Sequence, residues 1–154
     1  MKRKSTINKT ILLLVFLTVA FIPSISLASP DLIVEDVWTE PSTVAEGQSY
    51  VIKARIKNQG DTAANTGSSA KQEALFYVDN VQYGIGVEYG NLAPGATLDV
   101  QSMPIDESSA GPHTLKVMAD GNNAVSESDE TNNQKSEDIS VSFPQKPDHI
   151  TNDI

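Results

Sequence analysis

The segment QSYVIKARIKN, residues 48–58, changes chemistry at every step through its centre: Tyr50, Ile52, Ala54 and Ile56 are apolar, while Lys53, Arg55 and Lys57 are cationic. Side chains alternate between two faces along a strand and recur every 3.6 residues along a helix. The segment is therefore a strand, with its apolar face in a core and its cationic face in water.

Moving outward, the same period of two recurs between turn-forming segments. DLIVEDVW (31–38) sets Leu32, Val34 and Asp36 on one face and Ile33, Glu35 and Val37 on the other, a mixed pattern expected of an edge strand with a crossover. EALFYVD (73–79) is apolar on both faces, as a central strand should be. VQYGIGVEYG (81–90) is a weaker strand, loosened by Gly84 and Gly86. ATLDVQSMPI (96–105) alternates Leu98, Val100 and Ser102; HTLKVMAD (113–120) alternates Leu115, Val117 and Ala119. SEDISVSF (136–143) closes with Ile139, Val141 and Phe143. EPSTVAEGQ, NQGDTAANTGSS, NLAPGA and SSAGPH, rich in Gly, Pro, Asn and Ser, separate these segments. No segment holds a helical period over three turns. Seven short strands at this spacing predict an all-β, immunoglobulin-like antiparallel β-sandwich with Greek-key connections. Trp38, the only tryptophan, is expected to end the first strand and cover a rim of the core.

The first 28 residues stand apart. Lys2, Arg3, Lys4 and Lys9 precede an apolar run from Ile11 to Ile22, Pro23 breaks it, and Ser26 and Ala28 are small residues at −3 and −1 of a cleavage site between Ala28 and Ser29. The twelve-residue run is shorter than the roughly twenty needed to span a bilayer. The expected organisation is a signal peptide over 1–28, a sandwich domain over 29–143 and a disordered tail over 144–154, with no membrane span after cleavage and a secreted or cell-surface destination. Cleavage would remove four of eleven basic residues and none of twenty acidic ones, taking the net charge from −9 to −13. Such a surface repels phosphate backbones and anionic lipid, so nucleic acid is excluded as a partner. The absence of cysteine leaves stability to a packed core, helped at most by an ion.

DGNNAVSESDETNN (120–133) holds four carboxylates and four asparagines. Asp120, Asn122, Glu127, Asp129 and Glu130 carry the hard oxygens that Ca²⁺ takes. Aligned as an EF-hand loop from Asp120, positions one and three fit, but position five is Ala124, position six is Val125 where glycine is required, and position twelve is Thr131. The competing reading is a turn that locks the last two strands. Asn and Asp side chains cap turn backbone, Val125 drops into the sandwich end as a plug, and Asn132 and Asn133 bond main-chain groups across the hairpin. The spacing favours the lock over Ca²⁺.

Other features carry less. The loop over 58–69 lacks the Tyr, Trp or Arg anchors of binding hot spots. Tyr77 and Tyr83 lie in strands where aromatics pack in cross-strand pairs, and Tyr89, beside Gly90, is the one expected to be exposed. His113 follows Pro112 at a strand start and His149 lies in the tail, so neither is expected to be oriented by a carboxylate. The chain has no G-x-S-x-G elbow, no H-E-x-x-H and no phosphate-binding glycine loop, and it is read as a non-enzyme.

The order of PDLIVEDVW, VIKARIKNQGDTAA, LFYVDN, NLAPGATLDV and GPHTLKVMADGNNAVSESDETNN, followed by a closing strand, resembles the CARDB family, the cell adhesion related domain found in bacteria. The resemblance runs over about 30–142 and is most specific between Asp120 and Asn133. It implies an exported immunoglobulin-like module for cell-surface or extracellular interaction, with an extracellular protein or glycan as partner. Two other readings remain. Ser29 to Trp38 or the C-terminal tail could add to a neighbour's sheet and build an extracellular polymer. Alternatively, the domain is a calcium-stabilised carbohydrate-binding module.

Overall fold

A computed structural model describes residues 27–65, 71–84, 86–106 and 108–144. The signal-peptide reading over 1–26 and most of the tail from 145 lie outside these residues. Eight strands follow in order: β1 (Leu32–Glu40), β2 (Val51–Asn58), β3 (Gln72–Val78), β4 (Val81–Gln82), β5 (Val87–Tyr89), β6 (Thr97–Gln101), β7 (Gly111–Met118) and β8 (Gln134–Val141). They form an immunoglobulin-like antiparallel β-sandwich. One sheet has the order β1-β2-β6; the other has the order β4-β3-β7-β8, with β5 also paired to β3.

β2 is the strand its alternation dictates. Tyr50, which leads into it, and Ile52, Ala54 and Ile56 within it are all buried, and they meet Phe76, Leu115 and Val117 of the other sheet in one core. The mixed pattern of β1 has a backbone explanation. Its register with β2 shifts between Val34 and Asp36, a bulge at Glu35. One extra residue flips the parity of everything after it, so Leu32 and Val34 face the core before the bulge and Val37 and Thr39 after it. As expected, β1 is an edge strand.

The expected strand over 81–90 is two pieces. Asp79 and Asn80, both at positive φ, make a two-residue turn into β4, the backbone a type I′ hairpin requires. Gly84 and Gly86 then break the strand. A Cβ on Gly86 would sit 2.6 Å from Glu73 Oε2 and 2.9 Å from Leu75 Cδ2, so glycine lets the chain cross β3 without displacing these side chains. Leu98 and Phe143, expected in the core, are exposed. Leu98 belongs to an edge strand whose outer side has no neighbour in its sheet, and Phe143 lies two residues beyond the end of β8. Trp38 sits within β1 rather than at its end. Among the described residues no helix is long and apolar enough to cross a membrane.

Candidate functional site

The polar stretch opens where β7 ends. Asp120 adopts φ 45°, and its buried carboxylate accepts the N–H groups of Ala124 (3.1 Å) and Val125 (2.8 Å). Its own N–H donates to the Tyr89 hydroxyl at 3.1 Å. Tyr89 is thus buried, not exposed as its neighbour Gly90 suggested, because β5 pairs with β3 and carries the ring beneath the loop. Burial pushes the Tyr89 hydroxyl far above the ordinary phenol range.

Farther along, Asn122 and Glu127 tie the loop to different elements. Asn122 accepts the Glu73 N–H (3.2 Å) and donates to the Lys71 carbonyl (2.7 Å), fastening the loop to β3. Glu127 accepts the Leu32 N–H with one oxygen and the Asn133 amide at 2.7 Å with the other, fastening it to β1. Glu130 accepts the Glu127 N–H at 2.9 Å. Asp129 accepts the Thr131 hydroxyl (2.6 Å) and N–H (2.9 Å), and these bonds, the hydroxyl first, hold its carboxyl below the usual range. Val125 is 4% exposed, the plug that its apolar character among polar neighbours implied.

Asn132 and Asn133 act otherwise than expected. Their amides reach carboxylates rather than main chain: Asn132 donates to Asp31 (2.9 Å) and Asn133 to Glu127 (2.7 Å). The hairpin is closed instead by the backbone, with the Ala119 N–H on the Asn133 carbonyl at 2.8 Å. The Oδ1 atoms of both asparagines are buried and accept no hydrogen bond among the described residues.

Each of the five residues proposed as Ca²⁺ ligands already accepts a hydrogen bond. The carboxylate oxygens of Asp120, Glu127, Asp129 and Glu130, and Asn122 Oδ1, accept N–H or O–H groups in separate turns. Among the described residues no three His, Cys, Asp or Glu side chains gather as on a metal.

Glu127 is the one electrostatically unusual member. Burial pushes its carboxyl up to about 7, and the neighbouring carboxylates of Glu130 and Asp120 add to this against the opposing hydrogen bonds from Leu32 and Asn133. A carboxyl with a raised folded-state value binds more protons folded than unfolded between about 4.5 and 7. Its contribution to stability is complete below that window and declines as pH rises through it. Glu127→Gln keeps an acceptor for Leu32, and the free Asn133 Oδ1 can turn to accept the new amide. Relative to this variant, the wild-type melting temperature should fall by a few degrees from pH 4.5 to 7, roughly 1–2 kcal/mol after allowance for solvent screening. Parallel melting curves for the two proteins would show the mechanism wrong.

Sequence reasoning missed two features. Asn58 is fully buried at the end of β2 and makes four side-chain hydrogen bonds. Its signal was parity, a polar residue on the face of Tyr50, Ile52, Ala54 and Ile56. The other is a groove of about 300 Å³ between the edges of β1 and β8, walled by Trp38 and Thr39 on one side and by Glu137, Asp138 and Ser140 on the other. No motif marks it, because it arises where edges of two different sheets face each other.

His113 also departs from expectation. Its Nδ1 lies 2.7 Å from Asp79 Oδ2 and its Nε2 2.8 Å from the Ser109 carbonyl. Two acceptors favour the doubly protonated ring, and the Asp79 hydrogen bond leads in raising its pKa. The β3–β4 turn brings Asp79 back over the start of β7, a contact between residues 34 apart that local sequence does not announce.

Ala28 is exposed, and the chain joins the fold at Ser29, whose carbonyl accepts the Asp61 N–H at 3.0 Å.

This arrangement has known counterparts. The CARDB domain of a Pyrococcus furiosus protein, crystallised in complex with di-metal ions, is 21% identical over 77% of this chain and 99% of its own length, with a TM-score of 0.59. The solution structure of the same domain gives 20% identity and a TM-score of 0.57 over 75% of this chain and 98% of its own. Residues 272–376 of a Methanosarcina acetivorans protein, named provisionally as a cell surface protein, give 24% identity and a TM-score of 0.60 over 73% and 92%. No curated protein matches the chain. The pattern of the CARDB family matches residues 29–137, the whole sandwich as far as β8, and the chain belongs to that family.

Proposed function

We propose that the protein is a non-catalytic interaction module of the cell surface, exported by the leader over 1–28, which contacts an extracellular protein or glycan through the β1–β8 groove. The groove carries this reading: it joins the only tryptophan to strand-edge polar groups, the combination of apolar anchor and polar rim that interaction sites use. The polar loop, by contrast, spends its side chains on holding the fold. Membership of CARDB and the provisional surface assignment of the Methanosarcina relative support the location.

A calcium-stabilised module fits the residues less well. The Pyrococcus domain was crystallised with two metal ions, a property of that protein. Here a Ca²⁺ ion at 120–133 would need six to eight oxygens directed at one point, and the carboxylates already serve separate N–H groups. Polymer assembly through Ser29 to Trp38 is disfavoured for a different reason, since residues 32–38 already form part of β1.

The test is binding of the purified protein to cells of the strain that makes it. Trp38→Ala together with Glu137→Ala should reduce binding at least tenfold while leaving binding by a loop variant, Asp129→Ala, unchanged. Equal binding by wild type and the groove variant would sink the reading.

A further inference from the structure

The main-chain geometry says which edge of the groove is open. Thr114 and Asp79 meet at the end of β3: the Asp79 N–H donates to the Thr114 carbonyl at 2.9 Å, and the Thr114 N–H donates to the Asp79 side-chain Oδ1 at 2.9 Å. Thr114 therefore turns its polar groups toward β3. In an antiparallel ladder, a residue facing one neighbour leaves its opposite residue on the other side facing away. Thr114 lies opposite Asp138, so Asp138, and with it Ser136 and Ser140, point N–H and C=O out of the sheet. Ser142 confirms the parity: its outward N–H donates to the Val44 carbonyl and its carbonyl accepts the Glu46 N–H, both at 2.9 Å. The chain's own segment 44–46 thus already pairs with the far end of this edge, and the pairing stops at Ser142.

The facing edge of β1 is capped at three points. Glu127 accepts the Leu32 N–H, Asp36 Oδ1 accepts the Val37 N–H at 3.0 Å, and Lys135 Nζ donates to the Glu35 carbonyl at 2.7 Å. Bulges and edge lysines of this kind are how edge strands avoid unwanted pairing. No described side chain caps the outward backbone of Ser136, Asp138 or Ser140. β1 thus carries side-chain caps that the edge of β8 from Ser136 to Ser140 lacks among the described residues.

Charge then selects the occupant. Glu137 shares the face of Ile139 and Val141 and lies exposed in the groove, with no cationic partner among the described residues. Asp138 follows it and accepts the Thr114 hydroxyl at 2.8 Å, and Lys135 is committed to Glu35 and Asp36. A second copy of this chain, at net charge −9, would be repelled. From these observations we infer that the free edge of β8, from Ser136 to Ser140, docks an extended partner segment bearing lysine or arginine, added as an antiparallel or parallel strand in the β1–β8 groove. Five residues at about 3.3 Å each give a docking length of roughly 16 Å. The inference rests on the groove being the contact surface, and it names the class of partner.

The probe is an acetylated, amidated hexapeptide alternating lysine and valine, compared with its glutamate–valine counterpart, titrated into the purified protein with amide exchange followed by NMR. The basic peptide should slow exchange at Asp138 and Ser140 at least tenfold, and the acidic one should not bind. Ser140→Pro removes one outward N–H without touching the β7–β8 ladder and should weaken binding at least tenfold, whereas Ser140→Thr should not. Glu137→Lys should transfer preference to the acidic peptide. As a check that needs no folded proline variant, N-methylating alternate residues of the basic peptide should abolish binding. Binding that ignores both the proline and the N-methyl groups would be ionic attraction without strand pairing and would overturn the inference. If neither peptide binds at millimolar concentration while cell binding still depends on Trp38 and Glu137, this docking mode is wrong and the wider reading of the groove stands.

Discussion

Asn58→Ala is expected to be among the most damaging single substitutions in the domain, lowering stability by about 3–5 kcal/mol. Its Nδ2 donates to the carbonyls of Thr62 (2.7 Å) and Leu92 (2.9 Å), and its Oδ1 accepts the N–H groups of Asp31 (3.1 Å) and Gly60 (3.0 Å). One side chain therefore joins the start of β1, the loop after β2 and the segment between β5 and β6. Alanine would leave the Thr62 carbonyl and the Asp31 and Gly60 N–H groups without a protein partner, while the Leu92 carbonyl would keep the Ala64 N–H; each unpaired group costs about 1–3 kcal/mol, less whatever water returns at these partly buried positions. The adjacent Gly60 belongs to the same device. A Cβ there would lie 2.3 Å from the Ser29 carbonyl oxygen and 2.6 Å from the Asp31 nitrogen, both backbone atoms that cannot step aside. Urea unfolding measures the effect: the midpoint should drop with the slope unchanged. A loss below about 1 kcal/mol would show the four bonds to be replaceable by solvent.

That junction marks the boundary of what the sequence makes legible. The β2 alternation, the inward Leu115, Val117 and Ala119 of β7 and the family resemblance rest on local periodicity and residue order, and the structure places them as read. β1 was ambiguous for a physical reason: a bulge costs one residue of register and leaves no compositional trace beyond a broken alternation at Glu35. Tyr89, His113 and Asn58 were misread or passed over because their partners, Asp120, Asp79 and Asp31, are 27 to 34 residues away. Within 120–133 the residue types suit both a cation and the turn backbone, and the hydrogen bonds are those of a turn. Each carboxylate found an N–H within its own turn or on an adjoining strand, an outcome that composition cannot distinguish from a metal loop.

Val125→Asp is the second large effect, expected to cost about 3 kcal/mol or more. Val125 is 4% exposed, and its N–H is held by Asp120 Oδ2 at 2.8 Å. The substitution removes a buried apolar side chain and sets a carboxylate where no cation waits, on a loop already carrying the buried Asp120 and the half-buried Glu127. The new group would be forced toward its protonated form, so the penalty should shrink as pH falls, unlike that of a cavity. Val125→Ala separates the two parts: it should cost about 1–2.5 kcal/mol at every pH, by loss of packing alone. If Val125→Asp instead melts with the wild type, the side chain reaches water and the loop is not plugged. If it loses no more than Val125→Ala at neutral pH, charge burial contributes nothing, and the lock depends on the hydrogen bonds of Asp120, Asn122 and Glu127 rather than on the apolar residue between them.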